Sequence, residues 1–237
     1  LETRLTTTRP RVMLIATHGL FLPNSQDTDP EIPDSAFNRS APFARFSRAR
    51  EQNPMMRSGL ALAGANTWLS GGNLPQTAGK GFVLAQDIAA LDLWANELTV
   101  LSACDTARGD IKIGEGVFGM RRAFAIAGTK TLVMSLWKFP DKATALLMNR
   151  FFDNLNHGIG RGQALLKAQN FIRNITGEEL RQSDLEREVL AEFLVIPELS
   201  PETSISCQKS DKPLNHPFYW GAWICQGNIT ALDISQN

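Results

Sequence analysis

ELTVLSACDTARGDIKIGEGVFGMRRAFAIAGTKTLVMSLW, residues 97–137, reads in turn as strand, polar loop, helix and strand. Residues 97–103 (ELTVLSA) are a short apolar run with no alternation, the pattern of a strand buried on both faces. Cys104-Asp105 ends it, and 106–113 (TARGDIKI) is a polar loop. Apolar residues then recur at helical spacing over 116–127, and Gly128 supplies a C-terminal cap. Residues 131–137 (TLVMSLW) are a second buried strand. Strands separated by helices predict a mostly parallel α/β sheet with right-handed crossovers.

The flanking sequence extends the pattern. Residues 11–17 (RVMLIAT) read as another strand buried on both faces, ended by His18-Gly19. Residues 21–54 are rich in Pro, Asn, Ser, Asp and Arg and have little periodicity, which marks a loop insertion. Residues 57–66 are a weaker strand and 71–81 a Gly-rich loop, together a β-excursion before the next helix. Ile88, Leu91 and Trp94 have the spacing of one face of a helix over 84–96. Helices are predicted over 142–156, 163–175 and 178–192, with an irregular stretch at 197–213 and a last strand at 218–225 (FYWGAWIC).

Composition excludes several classes. The chain has 237 residues, enough for a substantial core, with 43% hydrophobic and 20% charged residues, ordinary globular usage. Its 24 basic and 24 acidic residues cancel, so no excess charge draws it to nucleic acid or to an anionic membrane. No apolar run approaches the roughly 18 residues of a spanning helix. Cys104, Cys207 and Cys225 are an odd number without a CxxC pair, which predicts a reducing, cytoplasmic home. Three glycosylation sequons therefore read as chance matches.

In an open parallel sheet, reactive residues collect at the carboxyl ends of the strands. His18 and Cys104 each directly follow a strand. On neighbouring strands, about 4.8 Å apart, an imidazole and a thiol would face one cleft and could serve as base and nucleophile for acyl transfer. The backbone N–H groups of Gly19 and Cys104 could then form an oxyanion hole. The alternative for each residue is structural: a small buried hydrophobe for Cys104, a hydrogen-bonded ring for His18. Gly114, Gly116 and Gly119 match GxGxxG, but about ten residues separate them from the preceding strand where a dinucleotide fingerprint needs a tight turn. His18, His157 and His216 are scattered, so no metal and no other cofactor is expected.

The runs ATHGLF (16–21), NPMMRSGLALAGAN (53–66), LAQDIAALDLWANELTVLSACDTARG (84–109), GEGVFGMRRAFAIAGTKTLVMSLWKFPD (114–141) and HPFYWGAWICQG (216–227) resemble the CHAT domain of caspase-like cysteine peptidases, relatives of separases and gingipains. The resemblance implies a caspase-like sheet flanked by helices, a His18–Cys104 dyad, and oxyanion donors at Gly19 and Cys104. Caspase-like folds have two further strands before the one that carries the His. The chain is thus expected to be the C-terminal part of a longer protein, residues 1–237 forming a single peptidase domain with an open sheet edge. The partners implied are a protein substrate and upstream helical-repeat domains or a regulatory protein, without nucleic acid or membrane. The alternative is a catalytically silent module that serves as a scaffold.

Residues 135–141 (SLWKFPD) leave a strand at the same carboxyl edge and resemble the LWxVxD segment of separases, whose acid meets a basic substrate side chain. That places Ser135, Trp137 and Asp141 along a substrate pocket and predicts a basic residue before the scissile bond. Asp105 is a rival for the acidic role. Asp141 also stands where an Asp ordinarily caps a helix.

Overall fold

The computed structural model describes residues 7–21, 54–73, 81–102, 113–137, 140–182, 184–194 and 208–232. In chain order the elements are β1 (Val12–Ala16), β2 (His18–Phe21), α1 (Pro54–Arg57), β3 (Ser58–Ala61), α2 (Ala65–Leu69), β4 (Phe82–Leu84), α3 (Ala85–Ala89), β5 (Leu98–Ser102), α4 (Ile113–Ala127), β6 (Thr131–Ser135), α5 (Asp141–Asn156), α6 (Arg161–Asn174), α7 (Asp184–Leu194) and β7 (Trp223–Gly227). A four-stranded sheet has the order β1-β5-β6-β7, and a three-stranded sheet has the order β2-β3-β4. This is an α/β fold with parallel strands and flanking helices, as the alternation of strand and helix predicts. The chain divides into two compact units, residues 1–132 and 133–237, the division falling inside β6.

In the first unit β1 and β5 pair in parallel, Val12 opposite Leu98 and Ala16 opposite Ser102. Leu98, Val100 and Leu101 are buried, as a strand covered on both faces requires. β1 departs from the expectation. Among the described residues it is an edge strand, and it buries Met13 but leaves Val12 and Leu14 exposed, because a strand with one face open shows every second side chain to solvent. On the inner face of α4, Met120, Ala123, Phe124 and Ala127 are buried at spacings of three and four, and the helix packs on α1, α3 and β3.

The expected helix over 84–96 is a correction. Residues 82–84 form β4, and α3 covers only Ala85–Ala89, its end closed by the Ala90 N–H on the carbonyls of Asp87 and Ile88. Asp92 then turns the chain by accepting a 3.3 Å hydrogen bond from the Trp94 N–H, and the Leu93 N–H donates to the Ala127 carbonyl. A side chain that competes for backbone N–H groups ends a helix that apolar periodicity alone would extend. Trp94 is therefore not on the helix face.

Gly128 takes φ +101° at the end of α4, and a Cβ there would lie 2.9 Å from Trp94 Cδ2. Gly128→Ala meets both the left-handed backbone and the indole. It should cost about 1–3 kcal/mol, measured as a shift in urea midpoint at unchanged slope.

The second unit packs α5 along α6 and α7. Leu147, Phe151 and Leu155 of α5 and Ala164, Leu165, Ala168 and Ile172 of α6 form its core. The helix expected over 178–192 is broken in two, a 3-10 turn (Glu179–Arg181) and α7. Thr176 explains the first piece: its N–H and hydroxyl each donate to Glu179 Oε2 at 2.8 Å, and its hydroxyl accepts from the Glu179 N–H. These bonds, the backbone one foremost, hold the Glu179 carboxyl below its ordinary pKa. Their contribution is present above the unfolded-state pKa and is lost as pH falls through the lower folded-state value. Glu179 is exposed, so Glu179→Gln should cost under about 1 kcal/mol at neutral pH and nothing once both states are protonated, as acid-titrated urea melts would show.

The run FYWGAWIC is not one strand. A 3-10 turn (Pro217–Tyr219), opened by His216 Nδ1 accepting from the Phe218 N–H, precedes β7. The insertion at 21–54 and the loops at 71–81 and 197–213 fall largely outside the described residues.

Candidate active site

The β1–β5 register positions the first two candidates. Ala16 is opposite Ser102, and one residue further the Thr17 N–H donates to the Ser102 carbonyl at 3.0 Å. His18 does not simply end the strand, as its sequence suggested. The Thr17 hydroxyl donates to the Ala61 carbonyl, and from His18 the chain continues as β2, antiparallel to β3, with His18 opposite Ala61 and Gly19 opposite Leu60. One residue, Thr17, is thus tied to both sheets and hands the chain from one to the other. A ladder on β3 holds the His18 backbone, while the residue is exposed and its ring has no hydrogen-bond partner among the described residues. Cys104 and Asp105 lie outside the described residues.

Ser135, Trp137 and Asp141 belong to the second unit. Ser135 ends β6 and is buried, which leaves Trp137 and Asp141 as the more accessible of the three. The Leu136 N–H donates to the Ala222 carbonyl at 2.8 Å, and the Trp137 indole N–H to the Phe218 carbonyl at 3.3 Å. A Cβ on Gly221 would lie 2.9 Å from the Pro217 carbonyl oxygen and 3.6 Å from Trp137 Cη2, so this close approach needs the missing side chain. Phe218 and Tyr219 meet edge to face, 5.3 Å between centroids. Phe218 and Gly221 are thus neighbours of the candidate segment that the sequence reading missed. The glycine inside an aromatic run was the available signal, since it interrupts a strand where another chain segment comes close.

Asp141 is not the helix cap. Pro140 occupies the N-cap position without a side-chain bond, and Asp141 is the first residue of α5 with its carboxylate exposed. The nucleotide alternative also loses its geometry. Gly114, Gly116 and Gly119 all lie within α4 rather than in a turn before it, so their backbone N–H groups cannot wrap a pyrophosphate in the way the fingerprint requires. Among the described residues no three His, Cys, Asp or Glu side chains gather as metal ligands. No helix among them is long and apolar enough to cross a membrane.

The model of the CHAT domain matches residues 1–228. The chain belongs to the CHAT domain family. This family is related to the caspase-like peptidases, and the match spans both compact units. No curated protein and no solved structure matches the chain. Of the cysteines in this CHAT domain, Cys225 on β7 is half-buried and unbridged, and burial raises its thiol pKa, with Arg161 opposing. A thiol held protonated is a poor nucleophile, so Cys225 does not suit catalysis.

Proposed function

We propose that this CHAT domain is a cysteine endopeptidase working through His18 and Cys104. The observation that carries the proposal is the β1–β5 register: Ala16 and Ser102 are partners, and each stands two residues before one member of the pair. Parallel strands lie about 4.8 Å apart, so the chain segments that lead to His18 and to Cys104 run side by side as far as Ala16 and Ser102, which supports a shared site.

In this reading the Cys104 thiolate attacks the scissile carbonyl carbon, and the carbonyl electron pair moves to oxygen. The oxyanion accepts hydrogen bonds from the backbone N–H groups of Gly19 and Cys104. The His18 imidazolium protonates the amide nitrogen as the C–N bond breaks, releasing the amine and leaving a thioester on Cys104. Neutral His18 then takes a proton from water, whose oxygen attacks the thioester; the C–S bond breaks, the carboxylic acid leaves, and the Cys104 thiolate and His18 imidazolium are restored. No cofactor enters this cycle.

The substrate class follows from Asp141. Its carboxylate is exposed and free of the capping role, which supports contact with an Arg or Lys before the scissile bond. Asp105, next to the nucleophile, is the competing acid.

Regulation follows from sequence position. The polar stretch 106–113 succeeds Cys104 and the insertion 21–54 succeeds His18, places where loops order or block a cleft. Cleavage of a fluorogenic peptide library by the full chain should be slow, and should rise when a regulatory protein or upstream helical-repeat segment is supplied. Full cleavage by the chain alone, with no gain from either, would contradict the regulatory part without touching the dyad.

A further inference from the structure

α4 turns one face to the core and the other outward, and the outward face is apolar where solvent would call for charge. Phe118 is 66% exposed and Ile126 52% exposed, with Ala125 also exposed between them. Trp94 continues the surface beyond the helix end: it is 74% exposed and its ring lies against Gly128. Phe118, Trp94 and Ile126 together expose on the order of 400 Å² of apolar side chain, the range of the largest apolar patch on a monomer, which is often functional. The rise from Phe118 to Ile126 is about 12 Å, and Trp94 adds roughly another turn, which suits a helix of two to three turns lying alongside.

The charges on this face select the occupant. Arg122 stands midway between Phe118 and Ile126, exposed, with no ion pair among the described residues. The Arg121 guanidinium lies 5.3 Å from the Phe118 ring centroid, and exposed Lys130 follows the helix end. From Phe118 to Lys130 the sequence holds no acid. Asp92, beside Trp94, is already paired with Arg9 at 3.8 Å. An apolar stripe centred on Arg122, which has no ion pair among the described residues, fits a partner that is apolar and acidic. A second copy of the chain does not fit, because antiparallel packing of α4 on itself would put the two-fold axis at Arg122 and set that charge against its mate.

We propose that the outer face of α4, extended by Trp94, docks an amphipathic helix with acidic flanks on a partner protein. The surface is independent of the peptidase reading, although α4 begins nine residues after Cys104 and so lies next to it in sequence.

The test uses the full chain and two labelled helical peptides of about 18 residues, long enough to span the face. Both carry leucines on one side; one has glutamates on its flanks and the other lysines. Fluorescence anisotropy should show saturable binding of the glutamate peptide below about 1 mM, weakening as salt rises, and at least about tenfold tighter than the lysine peptide. Phe118→Ser and Ile126→Ser should each weaken it about fivefold or more, and Arg122→Glu should reverse the preference between the peptides. All three residues are outward-facing, so an unchanged melting temperature serves as the folding control. Absence of saturable binding, or binding indifferent to all three substitutions, would overturn the proposal. Self-association abolished by Phe118→Ser would reassign the face to a second copy. Flotation with phosphatidylcholine vesicles that depends on Phe118 and Ile126 would reassign it to a lipid surface.

Discussion

Cys104→Ala and His18→Ala are each expected to lower peptide hydrolysis by the full chain by at least about three orders of magnitude, equivalent to roughly 4 kcal/mol of transition-state stabilisation. The thiolate has no substitute as the atom that forms the acyl bond. Without an imidazole the amine would leave unprotonated, so each loss alone should nearly equal the loss of both. Non-additivity in Cys104→Ala with His18→Ala is therefore part of the expectation, and two independent, additive effects would count against a shared mechanism. Stability should be little changed by His18→Ala, since the residue is exposed and its ladder to β3 uses the backbone. A variant that keeps activity within about tenfold of wild type removes that residue from the dyad and favours the scaffold alternative.

The second large effect concerns selectivity. Asp141→Asn should reduce the preference for Arg or Lys over a neutral residue before the scissile bond by about 10- to 100-fold, the value of a charge-assisted hydrogen bond of roughly 1.5–3 kcal/mol. The loss should appear in kcat/KM for basic substrates and leave neutral ones nearly unchanged. Asp141 is the first residue of α5 with no side-chain cap bond, so Asp141→Asn should cost the fold only a dipole interaction, under about 1 kcal/mol. Unchanged selectivity at unchanged stability would retire Asp141 and turn attention to Asp105→Asn.

The strands and helices with strong periodicity were recoverable from sequence because burial alone dictates them. β5, β6, α5 and α6 are elements whose apolar residues have one consistent place to go. The errors arose where a local bond overrode periodicity. Asp92 turns the chain where Leu91 and Trp94 would have continued a helix, and Thr176 with Glu179 forms a turn of its own ahead of α7. Thr17 sends the chain from one sheet to another, a choice that depends on Ala61, 44 residues away, and so leaves no mark in a local window. β1 looked doubly buried because its side chains are apolar, but apolar composition cannot say whether another layer covers both faces. At the site, residue types and order pointed to His18 and Cys104, whereas the packing of Trp137 on Gly221 and Phe218 needed coordinates. Asp141 shows the remaining ambiguity well: an acid before a helix is a cap or a free carboxylate according to a shift of one residue.

The most direct test of the central claim is the site and rate of labelling by a thiol-reactive peptide carrying a basic residue next to its warhead. Mass spectrometry would locate the adduct in the intact chain, in wild type and in His18→Ala, with any activating segment present. The account predicts a single adduct on Cys104, with Cys225 unmodified because burial keeps its thiol protonated, and a rate that falls at least about a hundredfold in His18→Ala. Labelling spread over Cys104, Cys207 and Cys225, or a Cys104 rate indifferent to His18, would contradict it.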